Sequence, residues 1–90
     1  MPNYLVEVYR ANFRADELSG VGGRARTAAD ELTRQGTPVR FLGSIAVPDD
    51  EMCFYLYEAA SSTVVGEASR RASISFERVV EAVRFGWDEP

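Results

Sequence analysis

Residues 38–59 read PVRFLGSIAVPDDEMCFYLYEA and contain the clearest structural pattern of the chain. β-Branched and aromatic side chains dominate residues 38–47 and again residues 52–59, which is typical of strands. Between the two runs, Pro-Asp-Asp-Glu at residues 48–51 carries residue types that favour a turn. The stretch therefore predicts a hairpin of two strands.

The hairpin is flanked on each side by a helix and a strand. Residues 3–9 and residues 78–85 have strand character. Helical spacing of apolar residues predicts a first helix that opens at Asp16 and stops before Gly36, and a second helix capped by Ser61 or Ser62. The apolar positions of these helices are Leu18, Val21, Ala25, Ala28 and Leu32 in the first, and Val64, Val65, Ala68 and Ala72 in the second.

This order of elements is β-α-β-β-α-β, the ferredoxin-like arrangement of the α+β class. With right-handed crossovers it predicts a four-stranded antiparallel sheet that carries both helices on one face, with strands one and three at the centre. Residues 1–86 are expected to form one domain, and residues 87–90 a C-terminal tail.

The second face of this sheet is expected to be covered. Strands one and three each have two sets of side chains, one for each face of the sheet. We expect the more purely apolar set of each strand to face the helices. These sets are Tyr4, Val6 and Val8 in strand one and Met52, Phe54 and Leu56 in strand three. The opposite sets are Leu5, Glu7 and Tyr9 with Cys53, Tyr55 and Tyr57. A sheet face in contact with water is normally more polar than this one. A second copy packed sheet to sheet would cover it, which predicts a homodimer of the dimeric α+β barrel type with a cavity between the sheets.

Composition excludes several classes of function. The chain has a net charge of −4 and all ten of its basic residues are arginines, of which Arg24, Arg26, Arg70 and Arg71 are interpreted as helix surface. Without a basic patch we expect no nucleic-acid partner. No apolar run approaches the roughly 20 residues of a membrane span, so no membrane partner is expected. The single cysteine and the lack of a signal-like N-terminus favour a cytoplasmic location.

The candidate functional residues are Glu7, Tyr9, Cys53, Tyr55 and Tyr57, which the pattern places on one face as the lining of a ligand-binding cavity. Because the chain contains no histidine, histidine-based acid–base catalysis and histidine metal sites are excluded. A carboxylate among tyrosines can have a raised pKa and act as a general base. The alternative is that Glu7 pairs with Arg78 or Arg84 and that the tyrosines pack in the dimer. Cys53 is expected to be a small buried apolar side chain, which is a more common role for a strand cysteine than that of a nucleophile.

An ordered set of stretches resembles a family of small bacterial proteins, often described as nickel-binding and ferredoxin-like. These stretches are residues 1–7, 38–44 and 49–59, followed by Glu67, residues 70–72 and residues 76–83. The resemblance implies a ferredoxin-like fold, a dimer and a divalent metal such as nickel. However, this chain has Ala68 where many relatives carry a histidine, and Gly43 where some do. Nickel favours imidazole nitrogen as a ligand. The side chains left for a metal are those of Glu7, Cys53 and Glu58.

Three functions stay open at this point. In the first, the domain is a dimer that binds a small molecule. In the second, it is a small cofactor-independent enzyme of the oxygenase, isomerase or cyclase type that acts on an apolar or aromatic molecule. In the third, it is a purely structural dimerisation module. Whether the chain is an enzyme, and what its ligand or substrate is, cannot be told from the sequence. A cavity of about 300 Å³ or more at the dimer interface would count against the purely structural module.

Overall fold

The computed structural model describes residues 1–86, and its elements follow the predicted order. Four strands and two helices are present: β1 (Asn3–Tyr9), α1 (Ala15–Arg34), β2 (Val39–Val47), β3 (Met52–Ala59), α2 (Ser62–Arg71) and β4 (Arg78–Ala82). The turn of the hairpin is a single 3-10 turn, Pro48–Asp50. The fold is ferredoxin-like and belongs to the α+β class.

The four strands form one antiparallel sheet in the order β2-β3-β1-β4. The prediction that the first and third strands lie at the centre is therefore confirmed. The fourth strand ends at Ala82, three residues earlier than the sequence pattern predicts. The predicted tail, residues 87–90, lies outside the described residues.

The helices begin and end at recognisable caps. At the start of α1, the Glu17 carboxylate accepts a hydrogen bond of 2.8 Å from the backbone N–H of Arg14. At the start of α2, the hydroxyl of Ser61 accepts one of 3.3 Å from the N–H of Val64. After α1 the backbone reverses at Gly36, whose φ of 98° is one that glycine adopts without steric cost.

The hydrophobic core lies between the two helices and one face of the sheet. The predicted helix stripes are confirmed: Ala25 of α1 and both Val65 and Ala68 of α2 are fully buried. Alanine dominates the buried stripe of α1, so this helix can lie close to the sheet, and large side chains from the strands fill the remaining space. The ring of Phe41 packs edge-on against that of Tyr57, with 5.3 Å between their centroids.

The prediction that Met52, Phe54 and Leu56 face the helices is wrong. In the β1–β3 pair, Tyr4 lies opposite Tyr57, Val6 opposite Tyr55 and Val8 opposite Cys53. Residues that lie opposite each other in an antiparallel pair point to the same face. Cys53, Tyr55 and Tyr57 therefore join the core, where they are 0%, 2% and 0% exposed. The physical reason is that both sets of β3 are apolar, so apolar content does not select the face, whereas Glu58 has the parity of Leu56 and pairs with Arg40 outside the core.

A β-bulge in β2 sets which of its residues face the helices. Phe41 lies opposite Tyr57 and Gly43 opposite Leu56, so Leu42 is the extra residue. Beyond the bulge, Ile45 and Val47 lie opposite Phe54 and Met52. These apolar side chains are thereby placed on the face of the sheet that carries no helix.

Candidate functional site

The helix-free face of the sheet, called the open face below, is apolar at its centre. By register its members are Leu5, Glu7, Tyr9, Arg40, Ile45, Val47, Met52, Phe54, Leu56, Glu58, Arg78 and Val80. The charged side chains form two ion pairs, Glu7 with Arg78 at 2.8 Å and Glu58 with Arg40 at 3.1 Å. The face thus combines an apolar surface with charges that cancel.

Two of the five predicted site residues, Glu7 and Tyr9, lie on the open face. The Glu7 carboxylate accepts a hydrogen bond from Nε of Arg78, and this contact raises the pKa of the Arg78 guanidinium. The Tyr9 hydroxyl donates to the Glu51 carboxylate at 3.0 Å, which raises the pKa of that phenol. The pairing of Glu7 with Arg78 is the ion-pair alternative given above, so this carboxylate already has a protein partner.

The other three predicted residues, Cys53, Tyr55 and Tyr57, lie on the helix side. The structure therefore does not bring the five candidates together on one surface. Burial raises the pKa of the Cys53 thiol, an effect that the neighbouring Tyr55 hydroxyl and the charge of Arg10 oppose. The thiol is thus protonated at neutral pH, whereas a nucleophile requires the thiolate.

The three metal candidates do not converge either. Glu7 and Glu58 lie on the open face, opposite Phe54 and Arg40 respectively, whereas Cys53 lies on the helix side. Among residues 1–86, no three side chains of His, Cys, Asp or Glu form a group that could hold a metal ion. The residues present in the described chain therefore do not fit the nickel site that the family resemblance implies.

A cavity of about 170 Å³ lies on the helix side of the sheet, at the end where β1 leaves it. It is bounded by the end of β1, the first half of α1 and the segment that follows α2. Its lining residues are Val8, Tyr9, Arg10, Val21, Arg24, Tyr55, Ser73, Ile74 and Ser75. Two of the predicted site residues belong to this lining: the buried Tyr55, and Tyr9, which ends β1 and bounds the cavity although its position in the sheet is on the open face.

The end of α2 forms one wall of this cavity. The N–H of Ile74 donates to the carbonyl of Ser69 at 2.8 Å, and the N–H of Ser73 donates to that of Arg70 at 3.0 Å. This pair of bonds is the Schellman motif, in which the residue at the position of Ser73 is normally glycine. Ser73 instead adopts the left-handed conformation with a φ of 62°. A serine there costs about 1 kcal/mol, and its side chain lines the cavity.

Arg24 connects the opposite wall to the same segment. Its Nε donates a hydrogen bond of 2.9 Å to the carbonyl oxygen of Ala72, which caps the last turn of α2. Within residues 1–86 no carboxylate forms an ion pair with Arg24. The guanidinium is thus held in place through one nitrogen, and its remaining donors are not matched by a negative charge of the described chain.

Tyr55 completes the polar part of the lining. The side chain is nearly fully buried, and burial is the main reason why its pKa is raised. The charges of Arg10 and Arg24 both act to lower that pKa, so both guanidinium groups lie near the phenol. Because the phenol stays protonated, it can donate a hydrogen bond to whatever enters the cavity.

Sequence reasoning missed most of this site. Arg24 is interpreted above as helix surface and is indeed exposed, but the sequence did not predict its hydrogen bond to Ala72. Ser73 and Ser75 fall in a short link between α2 and β4. No spacing in the sequence brings these residues next to Tyr55, because they come from three separate elements. The one usable signal is a serine directly after the second helix, at a position where glycine is usual.

The comparisons with known proteins support the fold. No protein-family model matches the sequence, and no curated protein matches it. The crystal structure of SCO4226 from Streptomyces coelicolor A3(2) is similar with a TM-score of 0.69, over 93% of this chain and 99% of that chain. The two sequences are 18% identical, so the likeness shows the small ferredoxin-like fold alone. Neither described helix is long and apolar enough to span a membrane.

Proposed function

We propose that this protein is a small ligand-binding dimer, in which each chain holds a small molecule in the helix-side cavity and two chains pack through their open faces. The observation that carries the binding role is the cavity itself. It is open to solvent on one side, and it brings the buried Tyr55 together with Arg24, an exposed arginine without a carboxylate partner among residues 1–86. The lining is mainly polar, with Val8, Val21 and Ile74 as its apolar side chains, and convergent polar groups of this kind fix the orientation of a small molecule.

The size of the cavity restricts the ligand. At the roughly 30 Å³ that a water molecule occupies in the liquid, 170 Å³ holds about five or six waters. Pockets for drug-sized molecules start at about 300 Å³. The cavity therefore suits a compound with a handful of non-hydrogen atoms, or one end of a larger compound.

The open face supports the dimer. Ile45 is 47% exposed there, next to the half-buried side chains of Phe54 and Met52. A two-fold interface brings the same patch of both copies together, so a surface with unbalanced charge would repel itself. Here both acidic residues are already paired within the chain, with Arg78 and Arg40. Two such faces can meet without like charges directly opposed.

Catalysis with Glu7 as the general base gains no support from this geometry. The Glu7 carboxylate lies on the opposite face of the sheet from the cavity and is bonded to Arg78 at 2.8 Å. A base must reach the proton it abstracts within hydrogen-bond distance or through one water. Ligand binding is therefore the function that the arrangement favours over catalysis.

A fragment screen followed by two-dimensional NMR of the 15N-labelled chain tests the binding role. Fragments that bind should move the amide signals of residues 8–10 and 73–75 in a saturable way. The variant Ser75→Phe should abolish these shifts, because the ring fills the cavity from its rim. Ser62→Phe is the matched control, since Ser62 lies at the other end of α2, about 15 Å away at 1.5 Å per residue. Shifts that survive Ser75→Phe, or a screen without shifts at these residues, would contradict the proposal.

A further inference from the structure

We propose that the helix-side cavity is an anion site, which takes a carboxylate or phosphate group of a small acid through Arg24, Tyr55 and the serines of the segment after α2. This inference rests on the proposed binding function and names the chemical class of the ligand. It starts from Arg24, whose Nε is bonded to the Ala72 carbonyl and whose terminal nitrogens have no carboxylate partner within residues 1–86.

The donors around the cavity match an anion. A guanidinium offers five N–H groups in a planar fork and no acceptor, and carboxylate and phosphate oxygens fit this fork. Tyr55, kept protonated by burial, and the hydroxyls of Ser73 and Ser75 add neutral donors. No acidic side chain belongs to the lining; the neighbouring carboxylates, Glu17 and Glu77, are bonded to Arg10 and to the backbone N–H of Tyr9, each at 2.8 Å.

Arg10 is a second cation of the lining, but it is already engaged. Its Nη2 is 2.8 Å from the carboxylate of Glu17, which also caps α1. An anion in the cavity must share Arg10 with Glu17, so we assign the main role to Arg24. It follows that neutralising Glu17 should release Arg10 and strengthen anion binding.

The ordinary alternative is that Arg24 only caps the C-terminus of α2. That role accounts for the hydrogen bond to Ala72. It accounts, through the Schellman motif, for the left-handed backbone at Ser73, but not for the cavity beside the guanidinium or for a serine instead of glycine at its rim. Backbone strain of this kind clusters at ligand sites. The net charge of −4 also means that the protein as a whole repels anions, so any anion that binds must be held locally.

The test is an NMR titration of the full chain with sodium acetate, inorganic phosphate and acetamide at constant ionic strength. Acetamide has nearly the shape of acetate without its charge. We expect acetate and phosphate to shift the signals of Arg24 and residues 73–75 saturably, with acetamide at least about ten-fold weaker. Arg24→Gln should weaken acetate binding by about ten-fold or more, and Arg34→Gln, the same change of charge elsewhere on α1, by less than about two-fold.

Glu17→Gln provides a variant that leaves the cavity lining intact and keeps an acceptor for the helix cap. It should bind acetate about two- to five-fold more tightly than the wild type, because Arg10 loses its partner. A gain of this kind cannot be attributed to misfolding.

Two results would overturn the inference while leaving the binding role in place. In the first, acetamide binds in the cavity with the same affinity as acetate. In the second, Arg24→Gln and Arg34→Gln weaken acetate binding equally. If none of the three probes shifts the cavity signals, the inference is also overturned. In that case the fragment screen with Ser75→Phe separately decides the proposed function.

Discussion

The Nε atom of Arg24 lies 2.9 Å from the carbonyl oxygen of Ala72, and this contact joins the first helix to the last turn of the second. The two residues are 48 positions apart in the chain. The contact satisfies one of the unpaired carbonyls at the end of α2 and fixes the guanidinium beside the cavity. Arg24 thus has a structural role and, in our proposal, a binding role.

The structural role can be measured by itself. Arg24→Met should lower the free energy of unfolding by about 1 kcal/mol, since it removes a hydrogen bond from a charged donor at a partly buried site. Arg34→Met, at an exposed position in the last turn of α1, should change it by less than about 0.5 kcal/mol. Urea unfolding of both variants checks this prediction. Equal losses in the two variants would show that the contact with Ala72 contributes nothing.

Ser73 should separate stability from binding. Ser73→Gly should raise the free energy of unfolding by about 1 kcal/mol, because glycine adopts a φ of 62° without steric cost. Both Ser73→Gly and Ser73→Ala remove the hydroxyl, and both should weaken acetate binding to a similar extent. Only the glycine variant should be more stable than the wild type. Thermal unfolding and acetate titration of the two variants check this, and an alanine variant as stable as the glycine one would refute the strain argument.

The hydroxyl of Tyr57 should cost stability. It is buried, and no atom of residues 1–86 forms a hydrogen bond with it. Removing a buried polar group without a partner is neutral or stabilising, so Tyr57→Phe should raise the free energy of unfolding by as much as about 1 kcal/mol. Denaturant unfolding measures this, with Tyr4→Phe as the comparison at a neighbouring core tyrosine. A loss of more than about 1 kcal/mol in Tyr57→Phe would show that the hydroxyl has a favourable interaction.

Tyr57 also predicts how stability depends on alkaline pH. Burial raises the pKa of Tyr57 to about 12. Because the folded pKa lies above the unfolded value of about 10, the folded state holds the proton more tightly between these values. This contribution is complete below about pH 10 and is lost as the pH rises towards 12, at about 1.4 kcal/mol per unit of pKa difference. Tyr57→Phe should therefore lose stability less steeply than the wild type over this interval, and identical slopes would contradict the prediction.

The open face should account for the dimer. Ile45→Asp introduces a charge at a half-exposed position, so it should leave the folded chain intact. In a two-fold interface it adds the same charge from both copies and should convert dimers to monomers. Thr27→Asp, on the exposed side of α1, is the matched control and should remain dimeric. Sedimentation velocity distinguishes the two states, and a dimeric Ile45→Asp variant would place the interface elsewhere.

The fold was predictable because local patterns and connectivity agree. Alternating strands, two amphipathic helices and a hairpin between them leave few topologies open once crossovers are right-handed. The bounds of β1 and β3 match the sequence pattern. The end of β4 does not, because residues 83–85 continue the apolar character of the strand without a pairing partner on β1.

The facing of β3 was not predictable from apolar content alone. Each of its positions from Met52 to Tyr57 is apolar or aromatic, so the alternation that identifies a buried face is absent. Glu58 was the usable signal, since it shares the face of Leu56 and a carboxylate rarely enters a core without a partner. It lies on the open face and pairs with Arg40. Because the facing of β3 was predicted wrongly, Tyr55 and Glu7 were placed on one face. They lie on opposite faces of the sheet, so the predicted site is divided.

A ligand-binding dimer can be detected in one experiment, native mass spectrometry of the untagged protein, with the strongest hit of the fragment screen added to the wild type and to Ser75→Phe. We predict a mass of two chains in both cases, with up to one fragment bound per chain in the wild type and none in Ser75→Phe. A spectrum of single chains would contradict the dimer. Equal fragment binding by the wild type and Ser75→Phe would contradict the assignment of the helix-side cavity as the site.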